Sequence, residues 1–179
     1  MQKIIVLDRD GVINIDRDDY IKNVDEWIPE LGSIDAIKAL KQAGWTVAVA
    51  TNQSGIKRGY YTRVHMSEIH QKMQDLLGDD KVDWISYSPY LGDDHSPSRK
   101  PGSGMLTAIE QRYGQSLAEA PMVGDTIKDM QAALSKDMKP YLVKTGKGAA
   151  IVEAGNPLLE TFQIPVYENL AEAVEAILK

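Results

Sequence analysis

Two aspartates separated by one residue, Asp8 and Asp10, directly follow an apolar run at the start of the chain. If this run is a buried strand, both carboxylates lie at its carboxyl end, and in an extended backbone their side chains share a face. Such a pair can bind a divalent cation, attack a phosphoryl group or transfer a proton. On an acidic surface it could also be a solvated pair or a turn, so the rest of the sequence must decide whether the pair has a function.

Three further polar segments have chemistry that complements two carboxylates. They are Thr51 to Gly55, Arg99 with Lys100, and Asp125 with Asp129. Taken singly, they could be a strand-to-loop turn, a solubilising basic pair and a helix N-cap. Taken together, they offer a hydroxyl, amides, backbone N–H groups, two cations and two more carboxylates.

An aspartate that attacks a phosphate ester needs this combination. Two unit charges about 4 Å apart repel by roughly 4 kcal/mol at an effective dielectric of about 20, so positive charge must offset the repulsion. Magnesium held by Asp8 and Asp125, together with Lys100, would supply it. Thr51 and the following N–H groups would bind the other phosphoryl oxygens. Asp10 would protonate the leaving oxygen and then activate water.

The elements that must position these residues follow an α/β pattern. Short apolar runs alternate with segments of helical period, which predicts parallel strands linked by crossover helices. Polar residues directly after such strands lie where open α/β sheets bind ligands. The predicted strands are Lys3 to Leu7, Trp45 to Ala50, Val82 to Tyr87, Pro121 to Val123, Pro140 to Val143 and Ile164 to Tyr167. Helical spacing recurs within 34–41, 69–77, 105–109, 130–134 and 170–178, whereas 11–31 and 88–104 have no assigned element.

Length and composition favour one domain spanning residues 1–179. The 43% hydrophobic and 26% charged content is that of a globular protein, and no apolar run is long enough for a membrane span. The net charge of -6 provides no basic field for nucleic acid, and the chain has no cysteine for disulfides or thiolate metal sites. The N-terminus has no signal-peptide pattern, so we expect a cytoplasmic protein. We also expect it to be a monomer.

These four motifs, in this order, resemble those of the haloacid dehalogenase superfamily of phosphatases. The resemblance implies a three-layer, Rossmann-like parallel sheet with helices on both faces. It implies Asp8 as nucleophile and magnesium ligand, Asp10 as general acid/base with its carbonyl on the metal, and Thr51 and Lys100 as phosphoryl-stabilising groups. It also implies Asp125 as a metal ligand and Asp129 as a supporting carboxylate. The intervals between the motifs leave no room for a large cap domain.

Closer similarity connects the chain to the superfamily branch that acts on sugar bisphosphates and histidinol phosphate. The segments that carry it are Asp8 to Asn14, Thr51 to Ile56, Arg58 with Gly59, Arg99 to Pro101, and Val123 to Asp125. This resemblance favours removal of the 7-phosphate of a heptose 1,7-bisphosphate in heptose nucleotide precursor synthesis. Histidinol phosphate or another small monophosphate is the alternative. The implied substrate contacts are Asp16, Arg17, Asp18, Asp19, Tyr20, Asn52, Gln53, Ser54 and Arg99.

This chain differs from that branch in the residues of a loop that binds zinc in many members. Many members hold zinc through three cysteines and a histidine, and the aligned positions here are Ser88, Tyr90, Ser96 and Ser98. Protonated hydroxyls are poor zinc ligands, so we predict magnesium but no zinc. We expect Pro89, Pro97 and hydrogen bonds from Asp93, Asp94 and the serines to order this loop instead.

A non-enzymatic alternative is a magnesium-binding signalling module that is phosphorylated on aspartate. Asp10 argues against it, because a module that stores phosphoaspartate has no use for a second carboxylate poised to hydrolyse it. The sequence therefore favours an enzyme, a phosphoric monoester hydrolase.

Overall fold

Six parallel strands form one sheet in the computed structural model, which describes residues 2–179. The strands are β1 (Ile4–Leu7), β2 (Thr46–Asn52), β3 (Trp84–Ser88), β4 (Pro121–Gly124), β5 (Lys139–Val143) and β6 (Val166–Tyr167). Their spatial order is β3-β2-β1-β4-β5-β6, and every neighbouring pair is parallel. The winding direction changes between β1 and β4, where open α/β sheets bind ligands. All six predicted strands are therefore confirmed.

Within residues 2–179, seven α-helices connect and flank the strands. They are α1 (Ser33–Gln42), α2 (Arg63–Leu77), α3 (Gly104–Tyr113), α4 (Ile127–Leu134), α5 (Gly148–Glu153), α6 (Pro157–Thr161) and α7 (Leu170–Leu178). The five predicted helical segments fall within α1, α2, α3, α4 and α7. The short helices α5 and α6 were not predicted, because five or six residues cover too few turns to show a helical period.

Side chains of β1 alternate between two cores, one on each face of the sheet. Ile5 and Leu7 are packed with residues of α1, α2 and α7. Ile4 and Val6 are packed with residues of α3 and α4 on the opposite face. Near-continuous apolar strands are expected when a parallel sheet is covered on both sides. This arrangement confirms the predicted three-layer architecture.

The connections that leave the carboxyl ends of the strands contain little regular structure. Segment 11–31 has only isolated bridges, and segment 88–104 holds a single short 3-10 turn, Gly92–Asp94. Within residues 2–179, only α1 lies between β1 and β2 and only α2 lies between β2 and β3. No inserted cap domain covers the site in this part of the chain, as predicted. None of the helices described is long and apolar enough to cross a membrane.

Candidate active site

Asp8 and Asp10 lie at the carboxyl end of the central strand β1. The Asp8 N–H donates to the Val123 carbonyl at 2.9 Å, which extends the pairing of β1 with β4 to the first aspartate. The backbone then turns at Gly11, whose φ of 80° lies in the left-handed region. A Cβ atom at Gly11 would also overlap the Asp125 carboxylate, so only glycine allows this approach.

Lys100 lies at the centre of the buried charges. Its ammonium nitrogen lies 2.9 Å from Asp8 Oδ1 and 2.6 Å from Asp129 Oδ1. It also donates a hydrogen bond to the Ala50 carbonyl at 2.7 Å. Burial opposes the ammonium charge, but Asp129 and Asp8 outweigh it and raise the pKa of Lys100 above its ordinary value.

Three buried carboxylates converge around this one ammonium group. Oxygen atoms of Asp8, Asp125 and Asp129 lie within 4.8 Å of one another. Burial, followed by the charge of Asp129, raises the pKa of Asp8 to about 7. Burial, followed by the charges of Asp8 and Asp129, raises the pKa of Asp125 to about 9. When all three carboxylates are ionised, one ammonium group does not balance their charge, and a bound cation would supply the rest.

The donor set fits a magnesium ion. Asp125 Oδ2 accepts from the Lys147 N–H at 2.9 Å, whereas the buried Oδ1 has no hydrogen-bond partner. An unpartnered carboxylate oxygen beside a second carboxylate is a suitable site for a hard divalent cation. Asp129 differs, because its Oδ2 accepts from the Thr126 hydroxyl and N–H while its Oδ1 pairs with Lys100. Asp125 and Asp8 are thus better placed than Asp129 to bind a metal directly.

Thr51 and Asn52 follow the apolar stretch of β2 and connect it to the neighbouring segments. The Asn52 amide donates to the Lys100 carbonyl at 3.1 Å and accepts from the Lys100 N–H at 3.0 Å. Asn52 therefore fixes the backbone that carries Lys100. The Thr51 hydroxyl accepts from Gln53 Nε2 at 2.8 Å.

Asp10 lies in a dense set of hydrogen-bond donors. Its Oδ1 accepts from Arg9 Nε at 2.9 Å, from Arg9 Nη2 at 2.7 Å and from Asn14 at 3.0 Å. Its Oδ2 accepts from Gln53 Nε2 at 2.9 Å. Burial acts to raise the pKa of Asp10, but the Arg9 charge and these hydrogen bonds outweigh it and hold the pKa below its ordinary value.

Arg9 itself is buried against a neutral histidine. Its Nη1 lies 3.2 Å from His70 Nε2. Burial, followed by the Arg9 charge, lowers the pKa of His70 to about 3, so the ring is uncharged at neutral pH and Nε2 can accept from Arg9. Arg9 thereby connects α2 to Asp10, the predicted general acid/base.

A cavity of about 250 Å³ opens above these residues. It is lined by Asp8, Asp10, Lys100, Asp125 and Asp129, and by the predicted substrate contacts Asp16, Arg17, Asp18, Tyr20, Asn52, Gln53, Ser54 and Arg99. Two predicted residues lie elsewhere. Thr51 is 1% exposed and lies behind the cavity wall. The carboxylate of Asp19 is exposed and pairs with Arg17 and Lys22.

Five lining residues were not predicted: Ile21, Tyr61, Thr126, Lys128 and Lys147. The strand-end rule could have found Lys147, which lies in the short connection between β5 and α5. The sequence could also have predicted Lys128, since it lies between Asp125 and Asp129. Tyr61 gave no such signal, because it lies nine residues beyond the end of β2.

The loop between β3 and α3 contains a cluster of serine hydroxyls. Ser98 Oγ lies 3.2 Å from Ser88 Oγ and 3.0 Å from Ser96 Oγ. Asp94 accepts from the Leu91 N–H at 2.7 Å and from Lys57 at 2.5 Å. Asp93, which was also expected to bond locally, forms no side-chain hydrogen bond within the described residues. Hydroxyl contacts thus connect three of the four positions at which zinc ligands would align.

The sheet order and this site are those of a HAD-like hydrolase. The HAD-hydrolase-like family model matches residues 97–173. D-glycero-beta-D-manno-heptose-1,7-bisphosphate 7-phosphatase of Pseudomonas aeruginosa is 48% identical, covering 99% of this chain and 99% of its own. The Escherichia coli K12 protein of that name is 35% identical over 98% of this chain and 93% of its own.

A solved structure agrees with these sequence relationships. The crystal structure of D,D-heptose 1,7-bisphosphate phosphatase from Bordetella bronchiseptica, complexed with magnesium and phosphate, is 44% identical. It has a TM-score of 0.93 and covers 99% of this chain and 98% of its own. The chain belongs to the heptose bisphosphate phosphatase family of HAD-like hydrolases. Membership confirms the predicted superfamily and the predicted enzyme class, a phosphoric monoester hydrolase.

Proposed function

We propose that this chain removes the 7-phosphate of D-glycero-D-manno-heptose 1,7-bisphosphate through a phosphoaspartate on Asp8. The convergence of Asp8, Asp10, Lys100 and Asp125 on one cavity carries the proposal. Relatives with 48% and 35% identity bear the name of that activity, and they cover nearly the whole chain. The reaction belongs to heptose nucleotide precursor synthesis.

Asp8 is the proposed nucleophile. Its Oδ1 is occupied by Lys100 at 2.9 Å and by the Arg9 N–H at 2.7 Å, which leaves Oδ2 to attack phosphorus. Lys100 opposes the rise that burial causes in the pKa of Asp8, and it offsets the charge of the incoming phosphate. Asp8, the Asp10 backbone carbonyl and Asp125 would hold magnesium, which when bound supplies positive charge to the phosphoryl oxygens.

Asp10 is the proposed general acid/base, and its two oxygens are not equivalent. Three N–H donors from Arg9 and Asn14 surround Oδ1, which leaves no lone pair for a proton. Oδ2 accepts from Gln53 alone among these neighbours. Oδ2 is therefore the atom that gives a proton to the leaving oxygen and later takes one from the attacking water. An anionic substrate raises the pKa of Asp10, so the protonated form of Asp10 is favoured while the substrate is bound.

Cationic side chains at the cavity suit a bisphosphate. Arg99, Lys128 and Lys147 all line it. The guanidinium of Arg99 donates to the Tyr90 carbonyl at 3.1 Å, which leaves other N–H groups for a ligand. Planar guanidinium groups bind phosphate oxygens in pairs, so Arg99 is the proposed contact for the second phosphate.

A phosphate-release assay tests the substrate directly. The wild-type chain is compared on the α and β anomers of the heptose bisphosphate and on histidinol phosphate, with magnesium and with excess chelator. Phosphorus NMR identifies the phosphate removed. We expect metal-dependent loss of the 7-phosphate and slower turnover of histidinol phosphate. Loss of the 1-phosphate, or faster turnover of histidinol phosphate, would contradict the proposal.

We further propose that the enzyme works as a single-domain monomer. All the side chains assigned above come from one chain and one sheet, so the site needs no second copy. Light scattering on the protein as it elutes from a size-exclusion column measures its molar mass. A stable dimer whose dissociation abolishes turnover would contradict this proposal. The cytoplasmic location stays a prediction.

A further inference from the structure

The side-chain amide of Gln53 has four partners inside the protein. Its Nε2 donates to Asp10 Oδ2 at 2.9 Å and to Thr51 Oγ1 at 2.8 Å. Its Oε1 accepts from the Tyr61 hydroxyl at 2.5 Å and from Arg9 Nη2 at 3.3 Å. Only 2% of Gln53 is exposed. The amide therefore joins Asp10, the proposed acid/base residue, to Thr51, which lies buried behind the cavity.

Partners at both ends of this amide set its direction. Reversal would direct Oε1 at the Asp10 carboxylate, where two acceptors repel, and would direct the NH₂ group at Arg9, which has only donors. Arg9 is already engaged by Asp10 through two shorter bonds of 2.9 and 2.7 Å. The short bond from Tyr61 is thus the main contact that anchors the oxygen of Gln53.

Tyr61 is held firmly enough to perform this task. It is 4% exposed, and its ring lies against Gly55, where any Cβ atom would overlap the ring carbons. Glycine at position 55 therefore makes room for the aromatic ring. Burial raises the pKa of Tyr61 above its ordinary value, so its hydroxyl remains protonated and able to donate.

We propose that Tyr61 is a positioning residue for the phosphatase reaction, because its hydroxyl fixes the Gln53 amide and thereby directs Asp10 Oδ2 at the leaving oxygen. The inference rests on the proposed role of Asp10. Tyr61 contacts the site through Gln53 rather than through the reacting atoms. Removal of its hydroxyl leaves the amide oxygen with only the 3.3 Å contact from Arg9 Nη2, so Nε2 is held less firmly beside Asp10 Oδ2.

Leaving-group dependence distinguishes this role from a structural one. Phenyl phosphate releases a poor leaving group that needs protonation, whereas p-nitrophenyl phosphate releases a good one that does not. The ratio kcat/KM is measured for both esters, since it reports transition-state stabilisation relative to the free enzyme and substrate. Tyr61→Phe is expected to lose about tenfold on phenyl phosphate and less than about twofold on p-nitrophenyl phosphate. Equal losses on both esters, or no loss on either, would overturn the proposal.

Tyr60→Phe is the matched control. Tyr60 is 53% exposed, and its ring contacts Tyr20 with centroids 5.1 Å apart, a contact that phenylalanine keeps. We expect both esters to be hydrolysed by Tyr60→Phe as by the wild type. A similar selective loss in this variant would show that any hydroxyl near the site produces it, and would overturn the assignment to Tyr61.

A double-mutant cycle tests the connection through Gln53. If Tyr61 acts by orienting the amide, Tyr61→Phe costs nothing further on phenyl phosphate in a Gln53→Leu background. Losses that multiply independently would contradict the connection. Circular dichroism and thermal melting establish that each variant is folded. Because the esters carry no sugar, failure on the heptose bisphosphate with normal hydrolysis of the esters would reject the substrate but not the role of Tyr61.

Discussion

The ammonium nitrogen of Lys100 lies 2.9 Å from Asp8 Oδ1. The same nitrogen lies 2.6 Å from Asp129 Oδ1, and the Lys100 side chain is 3% exposed. One buried cation therefore serves two purposes. It favours the ionised form of the proposed nucleophile, and it compensates a carboxylate that the fold buries at the start of α4.

Lys100→Met should impair stability as well as catalysis. The change leaves two buried carboxylates without their cation, which costs about 3–5 kcal/mol when one partner of a buried pair is removed. Urea unfolding in magnesium-free buffer measures the free energy of unfolding. Lys136→Met is the control, because the Lys136–Glu110 pair at 2.7 Å is partly exposed and should cost no more than about 1 kcal/mol. An equal loss in the free energy of unfolding in the two variants would contradict the conclusion that Lys100 compensates two buried carboxylates.

Stability of the metal-free protein should fall as pH rises from about 4 to about 9. The pKa of Asp8 is raised to about 7 and that of Asp125 to about 9, mainly by burial. The folded chain therefore holds protons that the unfolded chain has already lost, and raising the pH favours unfolding. Magnesium binds the ionised carboxylates, so the rise in Tm that it produces should grow over the same range. Thermal melting with and without magnesium measures both trends.

Asp125→Asn should weaken both the fall in stability with rising pH and the stabilisation by magnesium. The variant removes one of the two titrating carboxyls and one proposed metal ligand, so its Tm should depend less on pH and barely respond to magnesium. Asp79→Asn, at an exposed position after α2, should behave as the wild type. A magnesium response that survives intact in Asp125→Asn would exclude this residue as a ligand.

The loop between β3 and α3 should retain its order without zinc. Elemental analysis of the purified protein should find zinc well below one equivalent, because hydroxyl groups are poor ligands for it. Ser98→Ala removes the hydroxyl that contacts both Ser88 and Ser96, and should cost about 1 kcal/mol. Ser67→Ala, at an exposed position on α2, should cost nothing measurable. Stoichiometric, tightly held zinc would show that the alignment of this loop is wrong.

The sequence was most informative where chemistry directly follows a strand. Asp8 and Asp125 were found because the apolar runs marked the strands that precede them, and the ends of parallel strands lie together. Lys100 lies in the loop before α3 and was found from its charge, which complements the carboxylates. The helices α5 and α6 were too short to produce a periodic pattern. Tyr61 was missed for a different reason. Its role depends on a hydrogen bond to Gln53 and on the space beside Gly55, and neither contact follows from residue type or spacing.

Trapping the covalent intermediate tests the central claim that Asp8 is the nucleophile. Asp10→Asn should slow hydrolysis of the phosphoaspartate more than its formation when a good leaving group is supplied. The variant is mixed with p-nitrophenyl phosphate and magnesium, quenched, and reduced with borohydride, which converts an acyl phosphate to the alcohol. Peptide mass spectrometry should then find homoserine at position 8, in amounts that depend on substrate and disappear when Asp8→Asn is added to the variant. Reduction at Asp125 or Asp129, or none at any aspartate while the variant still turns over substrate, would contradict it.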